Sequence, residues 1–108
     1  MQVKAHLPHE RKEIYRMNTL NLGIDYTIKV TDLDVTRTYS AILRNAATRE
    51  KHSVVGFFIG TDCYFYYPAT LTATFSVGVY QLNVHDSNNQ DMLFNDTFCK
   101  ARANGLEA

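Results

Sequence analysis

The chain has 108 residues, 45% of them apolar, and its 11 basic and 11 acidic residues leave no net formal charge. This length suits one domain with one core, and the apolar share argues against a wholly disordered chain. A nucleic-acid binder usually carries a basic excess, and a membrane span needs a longer apolar run than any present here. We therefore expect partners that are neither nucleic acid nor membrane. The amino terminus lacks an apolar signal segment, so a cytoplasmic location is expected.

Residues 1–17 are polar and differ from the rest of the chain. Pro8 suits the first turn of a helix, and Leu7, Ile14 and Tyr15 form a thin apolar stripe. A short helix and a loose arm both fit this pattern. The segment is either a solvated leader or a partner-binding arm, and in the second case Ile14 and Tyr15 are interface candidates.

From residue 18 onward the pattern is that of β-strands. Apolar residues alternate with polar ones in several short runs, which is the period of a half-buried strand. Glycine, asparagine, aspartate and serine separate the runs, as in turns. Strands are predicted, in chain order, over residues 19–22, 25–32, 37–44, 53–59 and 63–67, in the run that carries Tyr80, Leu82 and Val84, and over 91–102.

The stretch from Pro68 to Asp86 is predicted to be a buried turn that leads into a strong strand. Pro68 ends the preceding strand because its ring fixes φ and removes a donor. Leu71 and Phe75 are placed to close one end of a core, and Gly78 permits a bend in the backbone. In the last strand, the charge of Asp96 interrupts an apolar face, which predicts a β-bulge near 95–96.

About seven short strands with regular turns predict an all-β, antiparallel β-sandwich of immunoglobulin-like type. No helical pattern of the length needed for parallel crossovers lies between the strands. The predicted organisation is an arm over 1–17, the sandwich over 18–103 and a frayed tail over 104–108. The chain has no tryptophan, and it has two cysteines, Cys63 and Cys99. We expect both cysteines to be free thiols in a reducing compartment. The alternative is a disulfide, if neighbouring strands bring the two residues together.

No motif with the spacing of a metal or catalytic site appears. His6 and His9 are spaced for one helix face, but no third ligand has a recognisable spacing; His52 is assigned to a loop and His85 to a strand end. The pairs Asp32 with Asp34 and Asp86 with Asp91 suit calcium between loops, but aspartate is also an ordinary turn residue. Ser87 follows His85 without a triad geometry, and Cys99, placed on an outer strand, lacks an activating helix terminus. We expect no enzyme activity, no metal and no cofactor.

The aromatic run Tyr64-Phe65-Tyr66-Tyr67 is the strongest candidate for a working surface. If Cys63, Phe65 and Tyr67 face the core, then Tyr64 and Tyr66 form an exposed pair. Tyrosine is favoured at interfaces because it combines area with a polar tip. The pair is suited to a protein partner or to stacking on a sugar ring; alternatively, it is covered by a second layer or by the arm.

From residue 20 to 103 the layout resembles small β-sandwich domains of tailed-bacteriophage and prophage structural proteins. The similarity lies in an opening strand pair with a glycine-aspartate step, a threonine-containing turn followed by Gly78-Val79-Tyr80, and a closing strand in which Asp96 replaces a frequent glycine. The matching segments are 20–30, 41–44, 71–80 and 92–98.

This resemblance implies a non-enzymatic virion or assembly component that binds protein neighbours, including further copies of itself, in the host cytoplasm or in the virion. Open sheet edges and a chain without net charge favour self-association. A carbohydrate- or surface-binding module and a small inhibitor of a host protein are the alternative functions.

Overall fold

The structure is a computed structural model that describes the backbone of residues 2–4, 18–86 and 92–103, and the side chains of 18–86 and 97–103. Most of the predicted arm, including Ile14 and Tyr15, lies outside the described residues. So do the predicted tail and residues 87–91.

Nine strands and one short helix make up the described chain. In chain order they are β1 (Gln2–Lys4), β2 (Asn18–Asn21), β3 (Tyr26–Thr31), β4 (Tyr39–Asn45), β5 (Lys51–Val55), β6 (Phe57–Ile59), β7 (Asp62–Tyr67), α1 (Ala69–Thr72), β8 (Gly78–Asp86) and β9 (Met92–Arg102).

The strands form two sheets that pack face to face. One has the order β1-β3-β7-β6 and the other β2-β9-β8-β4-β5, and the pairing is antiparallel except for β1 with β3 and β2 with β9. The order places β3, β7 and β6 as strands B, E and D of an immunoglobulin domain, opposite β4, β8 and β9 as C, F and G. β1 departs from strand A of that fold, because it pairs with β3 in parallel. The predicted all-β sandwich of immunoglobulin-like type is confirmed.

The core lies between the sheets and is filled by the alternating residues. Every second side chain of β3, β4, β7 and β8 is buried, because one face of each sheet packs against the other. These side chains are the ones that alternation predicted: Tyr26, Ile28, Val30, Tyr39, Ala41, Leu43, Cys63, Phe65, Tyr67, Tyr80, Leu82 and Val84.

Both cysteines are free and buried, and they belong to different sheets. Burial raises the pKa of the Cys63 thiol to about 11 and that of the Cys99 thiol to about 12. The expectation of free thiols is confirmed. The assignment of Cys99 to an outer strand was wrong, because β9 lies between β2 and β8.

The apolar run 53–59 is not one strand, as the sequence suggested, but belongs to two. β5 forms an edge of the five-stranded sheet, and β6 forms an edge of the four-stranded sheet. The chain crosses between the sheets at Gly56, whose N–H donates to the carbonyl of Tyr39 at 2.9 Å. His52, which the sequence placed in a loop, lies within β5.

The corner that leads into β8 has the predicted form. β7 ends before Pro68, Phe75 is buried, and Gly78 has a φ of 133°. The Tyr80 hydroxyl donates to the carbonyl of Ser76 at 2.8 Å, which is the tyrosine corner of immunoglobulin-like domains.

The corner is tied to the loop before β3. Thr72 is fully buried; its hydroxyl donates to the carbonyl of Ile24 at 2.9 Å and accepts from the N–H of Gly23 at 3.0 Å. These bonds stabilise the closed end of the sandwich, because buried polar groups are costly unless they are paired.

The bulge in the last strand is also confirmed. Tyr80 lies opposite Cys99 and Leu82 lies opposite Asn95, so the one intervening residue of β8 faces three residues of β9, 96–98. The irregularity therefore falls where Asp96 interrupts the apolar face.

Candidate functional site: the outer face of the four-stranded sheet

The strongest candidate site is a patch of large side chains on the solvent side of β6 and β7. It consists of Phe57, Ile59, Tyr64 and Tyr66, which we call the outer patch. Phe57 is 47% exposed, Ile59 62% and Tyr66 42%, and Tyr64 is partly buried among them. Scattered exposed apolar residues are ordinary, but a contiguous group on adjacent strands marks an interaction surface.

The sheet register brings these side chains together. Phe57 lies directly opposite Tyr64, and their ring centroids are 5.9 Å apart at an interplanar angle of 23°. Tyr66 is the diagonal neighbour of Phe57, within reach of an aromatic side chain. The outer patch is therefore a continuous surface and not four separate exposures.

Local sequence explains why the outer patch faces solvent. Cys63, Phe65 and Tyr67 alternate with Tyr64 and Tyr66 and are fully buried, so the two tyrosines must point outward. A two-residue turn, Gly60-Thr61, joins β6 to β7, and Gly60 has a φ of 65°. Glycine at this first central position suits a tight hairpin, which fixes the register of the two strands.

Polar groups border the outer patch. Lys29 and Asp62 form an ion pair at 3.6 Å beside Tyr64 and Ile59. Local desolvation and a hydrogen bond to the Asp25 carboxylate raise the pKa of the Tyr66 hydroxyl. An apolar centre with a polar border is the usual composition of a protein-binding surface.

Tyr64 and Tyr66 occupy the outward positions that the sequence predicted for them. Ile14 and Tyr15, the other two interface candidates, lie outside the described residues. Sequence reasoning missed Phe57 and Ile59, because it treated 53–59 as one apolar strand. The available signal was Gly56 in the middle of that run, since a glycine inside a strand pattern often marks a bend or a close backbone approach.

A second cluster joins Glu50, His52, Ser76 and Tyr80 at the closed end of the sandwich. The Glu50 carboxylate lies 2.5 Å from the His52 imidazole and accepts from the Ser76 hydroxyl at 2.5 Å and from the Ser76 N–H at 3.1 Å. The His52 ring stacks on Phe75 with centroids 3.8 Å apart. Hydrogen bonds from Ser76 and then from His52 lower the pKa of Glu50 to about 2.

This cluster contains a serine, a histidine and a carboxylate but not the arrangement of a nucleophilic triad. In a triad the histidine lies between the nucleophile and the carboxylate, so that it can take the proton. Here the carboxylate lies between Ser76 and His52, and it holds the turn after β4 against the turn before β8. We interpret the cluster as a structural clamp.

The metal hypotheses gain no geometric basis. Asp86 is fully buried in β8 and pairs with Arg37 at 2.9 Å, which corrects its assignment to a turn. Asp34 accepts from the N–H and the hydroxyl of Thr36, as a turn aspartate does. Within residues 18–86 and 97–103, no group of three histidine, cysteine, aspartate or glutamate side chains is placed to share an ion. His6, His9 and Asp91 lie outside the described residues.

Comparisons with known proteins give no relatives. No protein-family model matches the chain, and no curated protein and no solved structure shows significant similarity to it. The resemblance to phage structural domains thus stays a prediction. In the described part of the chain, no helix has the length and hydropathy needed to cross a bilayer.

Proposed function

We propose that this protein is a non-enzymatic binding module whose outer patch docks a protein partner. The observation that supports this proposal is the outer patch itself: four adjacent large side chains, two of them tyrosines, on the solvent face of the four-stranded sheet. Tyrosine and phenylalanine are enriched at such surfaces because they bury much area at a small cost in conformational entropy.

The arrangement favours binding over chemistry. The cluster that holds a serine, a histidine and a carboxylate has the wrong order for proton transfer, and its carboxylate is engaged by Ser76 and His52. The outer patch offers rings and methyl groups with hydroxyl tips, which suit desolvation by another protein. We further propose, from the sequence resemblance alone, that the partner is a virion or virion-assembly protein.

A capture experiment tests the proposal. The full chain and its Tyr64→Ser/Tyr66→Ser variant would be immobilised and exposed to lysate of the native host, and bound proteins quantified by mass spectrometry. If the tyrosines are binding hot spots, we expect the variant to capture at least about tenfold less of the main bound protein than the wild-type chain does. The melting temperature should change little, because Tyr66 is 42% exposed and Tyr64 packs only on the outer surface.

Val77→Ser is the matched control, because Val77 is 61% exposed and lies outside the outer patch. Equal capture by the tyrosine variant and the wild-type chain would refute the proposal. So would a large loss of stability in the tyrosine variant, since it would assign Tyr64 and Tyr66 to the core.

A further inference from the structure

The free side of β6 is an unusual sheet edge. β6 is the terminal strand of its sheet, and among the described strands it pairs only with β7. Charged side chains are one device by which natural edge strands avoid pairing with another chain. Residues 52–61 contain no lysine, arginine, aspartate or glutamate, so β6 has no such protection.

The hairpin turn determines which main-chain groups face this edge. In a two-residue turn, the carbonyl of Ile59 accepts from the N–H of Asp62. The main-chain groups of Ile59 and Phe57 therefore face β7, and those of Phe58 face the open side, because antiparallel pairing alternates along a strand. β6 thus presents the N–H and the carbonyl of a single residue to an incoming strand.

We propose that the occupant of this edge is the β6 strand of a second copy of the chain, antiparallel and related by a two-fold axis. This inference deepens the proposed function by naming one partner, and it rests on the outer patch as a binding surface. Phe58 then lies opposite Phe58 of the second copy, and the two residues exchange both hydrogen bonds. Phe57 lies opposite Ile59 of the second copy, and the converse contact follows from symmetry.

The side-chain chemistry suits this register. Phe57 and Ile59 already point outward on the same face, so pairing joins the two outer patches into one apolar surface across both copies. Each Phe57–Ile59 contact is a close, non-hydrogen-bonded pair of an aromatic and a β-branched residue, a favourable cross-strand combination. No charged side chain of β6 opposes another, and the chain has no net charge to repel its copy.

The same geometry limits the affinity. β6 has three residues and offers one hydrogen-bonded pair, so the side chains must supply most of the binding energy. We expect a reversible monomer–dimer equilibrium that depends on protein concentration.

Sedimentation velocity of the full chain, from low micromolar to near-millimolar concentration, tests the proposal. We expect the weight-average mass to rise from 12.3 kDa toward twice that value. Ile59→Lys should raise the dissociation constant about tenfold or more, because it puts an ammonium group into the desolvated contact. Val77→Lys is the matched control, since Val77 and Ile59 are 61% and 62% exposed, and it should dimerise like the wild-type chain.

The register has its own test. Under mild oxidation, a mixture of Phe57→Cys and Ile59→Cys chains should form disulfide-linked dimers faster than either variant alone, because positions 57 and 59 are opposed only across copies. Equal rates would overturn the register. A monomer at every concentration, or an unchanged dissociation constant in Ile59→Lys, would overturn the self-pairing. If that happens while capture still depends on Tyr64 and Tyr66, the proposed function stands and only this inference fails.

Discussion

A Cβ atom added to Gly56 would lie 2.6 Å from Cε1 of Phe65, closer than non-bonded carbon atoms approach. The backbone of residue 56 therefore lies against the core, at the point where the chain leaves one sheet for the other. β5 and β6 are edges of different sheets on either side of this glycine, and the pairing of β6 with β7 directs Phe57 and Ile59 toward solvent.

Gly56→Ala should destabilise the fold. The new methyl group would also meet the Sγ of Cys63 at 2.8 Å, and both neighbours are fully buried. Overpacking of this kind costs about 1–3 kcal/mol. Urea unfolding would measure the change in the free energy of unfolding.

A double-mutant cycle provides the control for this substitution. Phe65→Leu removes the ring edge, so adding Gly56→Ala to it should cost less than adding Gly56→Ala to the wild-type chain. Strictly additive costs would show that Phe65 is not the obstacle.

Tyr80→Phe tests the tyrosine corner. The variant keeps the buried ring but removes the hydroxyl, which donates to the carbonyl of Ser76 at 2.8 Å and lies 3.3 Å from the Glu50 carboxylate. The expected loss of unfolding free energy is about 0.5–1.5 kcal/mol. Tyr66→Phe, which removes the hydroxyl of an exposed tyrosine, should cost less. A smaller cost for Tyr80→Phe than for Tyr66→Phe would contradict the role of the corner.

The Glu50 clamp predicts a dependence of stability on pH. The pKa of Glu50 falls from its ordinary 4.5 to about 2 in the folded chain, chiefly through the Ser76 hydroxyl. A depressed folded-state pKa gives stability that is present above the unfolded-state value and is lost as the pH falls through the folded-state value. Part of the folding free energy should therefore disappear between pH 4.5 and about 2.

Thermal melts over this pH range would measure the loss in the wild-type chain and in Glu50→Gln. The variant should melt lower at neutral pH and show a shallower decline on acidification. Asp62→Asn is the control, because it removes the carboxylate of the surface ion pair with Lys29. Its melting temperature should fall with pH as steeply as that of the wild-type chain. If the melting temperatures of Glu50→Gln and of the wild-type chain fall equally steeply with pH, Glu50 does not contribute to the pH dependence.

The sequence predicted the two-layer architecture because apolar and polar residues alternate along the central strands. Tyr80, Leu82 and Val84 are buried while Gln81, Asn83 and His85 are not, and this period of two follows directly from one buried sheet face. The outward positions of Tyr64 and Tyr66 follow from the same rule.

What the sequence did not reveal depends on contacts between distant residues. Residues 54–59 carry no polar side chain that would mark the change of face, so periodicity alone did not show that the chain changes sheets at Gly56. The Glu50 contact with Ser76 joins residues 26 positions apart, and Asp86 pairs with Arg37 across 49 positions. Aspartate near a strand end is ordinarily a turn residue, and only the folded structure shows that Asp86 is buried.

The outer patch as the binding surface is the central claim, and hydroxyl-radical footprinting tests it most directly. The full chain would be oxidised in buffer and in a lysate of the cells that naturally produce it, and oxidation would be quantified at each residue. Because lysate components consume radicals at the expense of every residue, oxidation is compared as a ratio to that of Val77, which is 61% exposed and lies outside the outer patch. We expect this ratio to be lower in lysate than in buffer for Phe57, Tyr64 and Tyr66. The same ratio for these three residues in buffer and in lysate would contradict the claim.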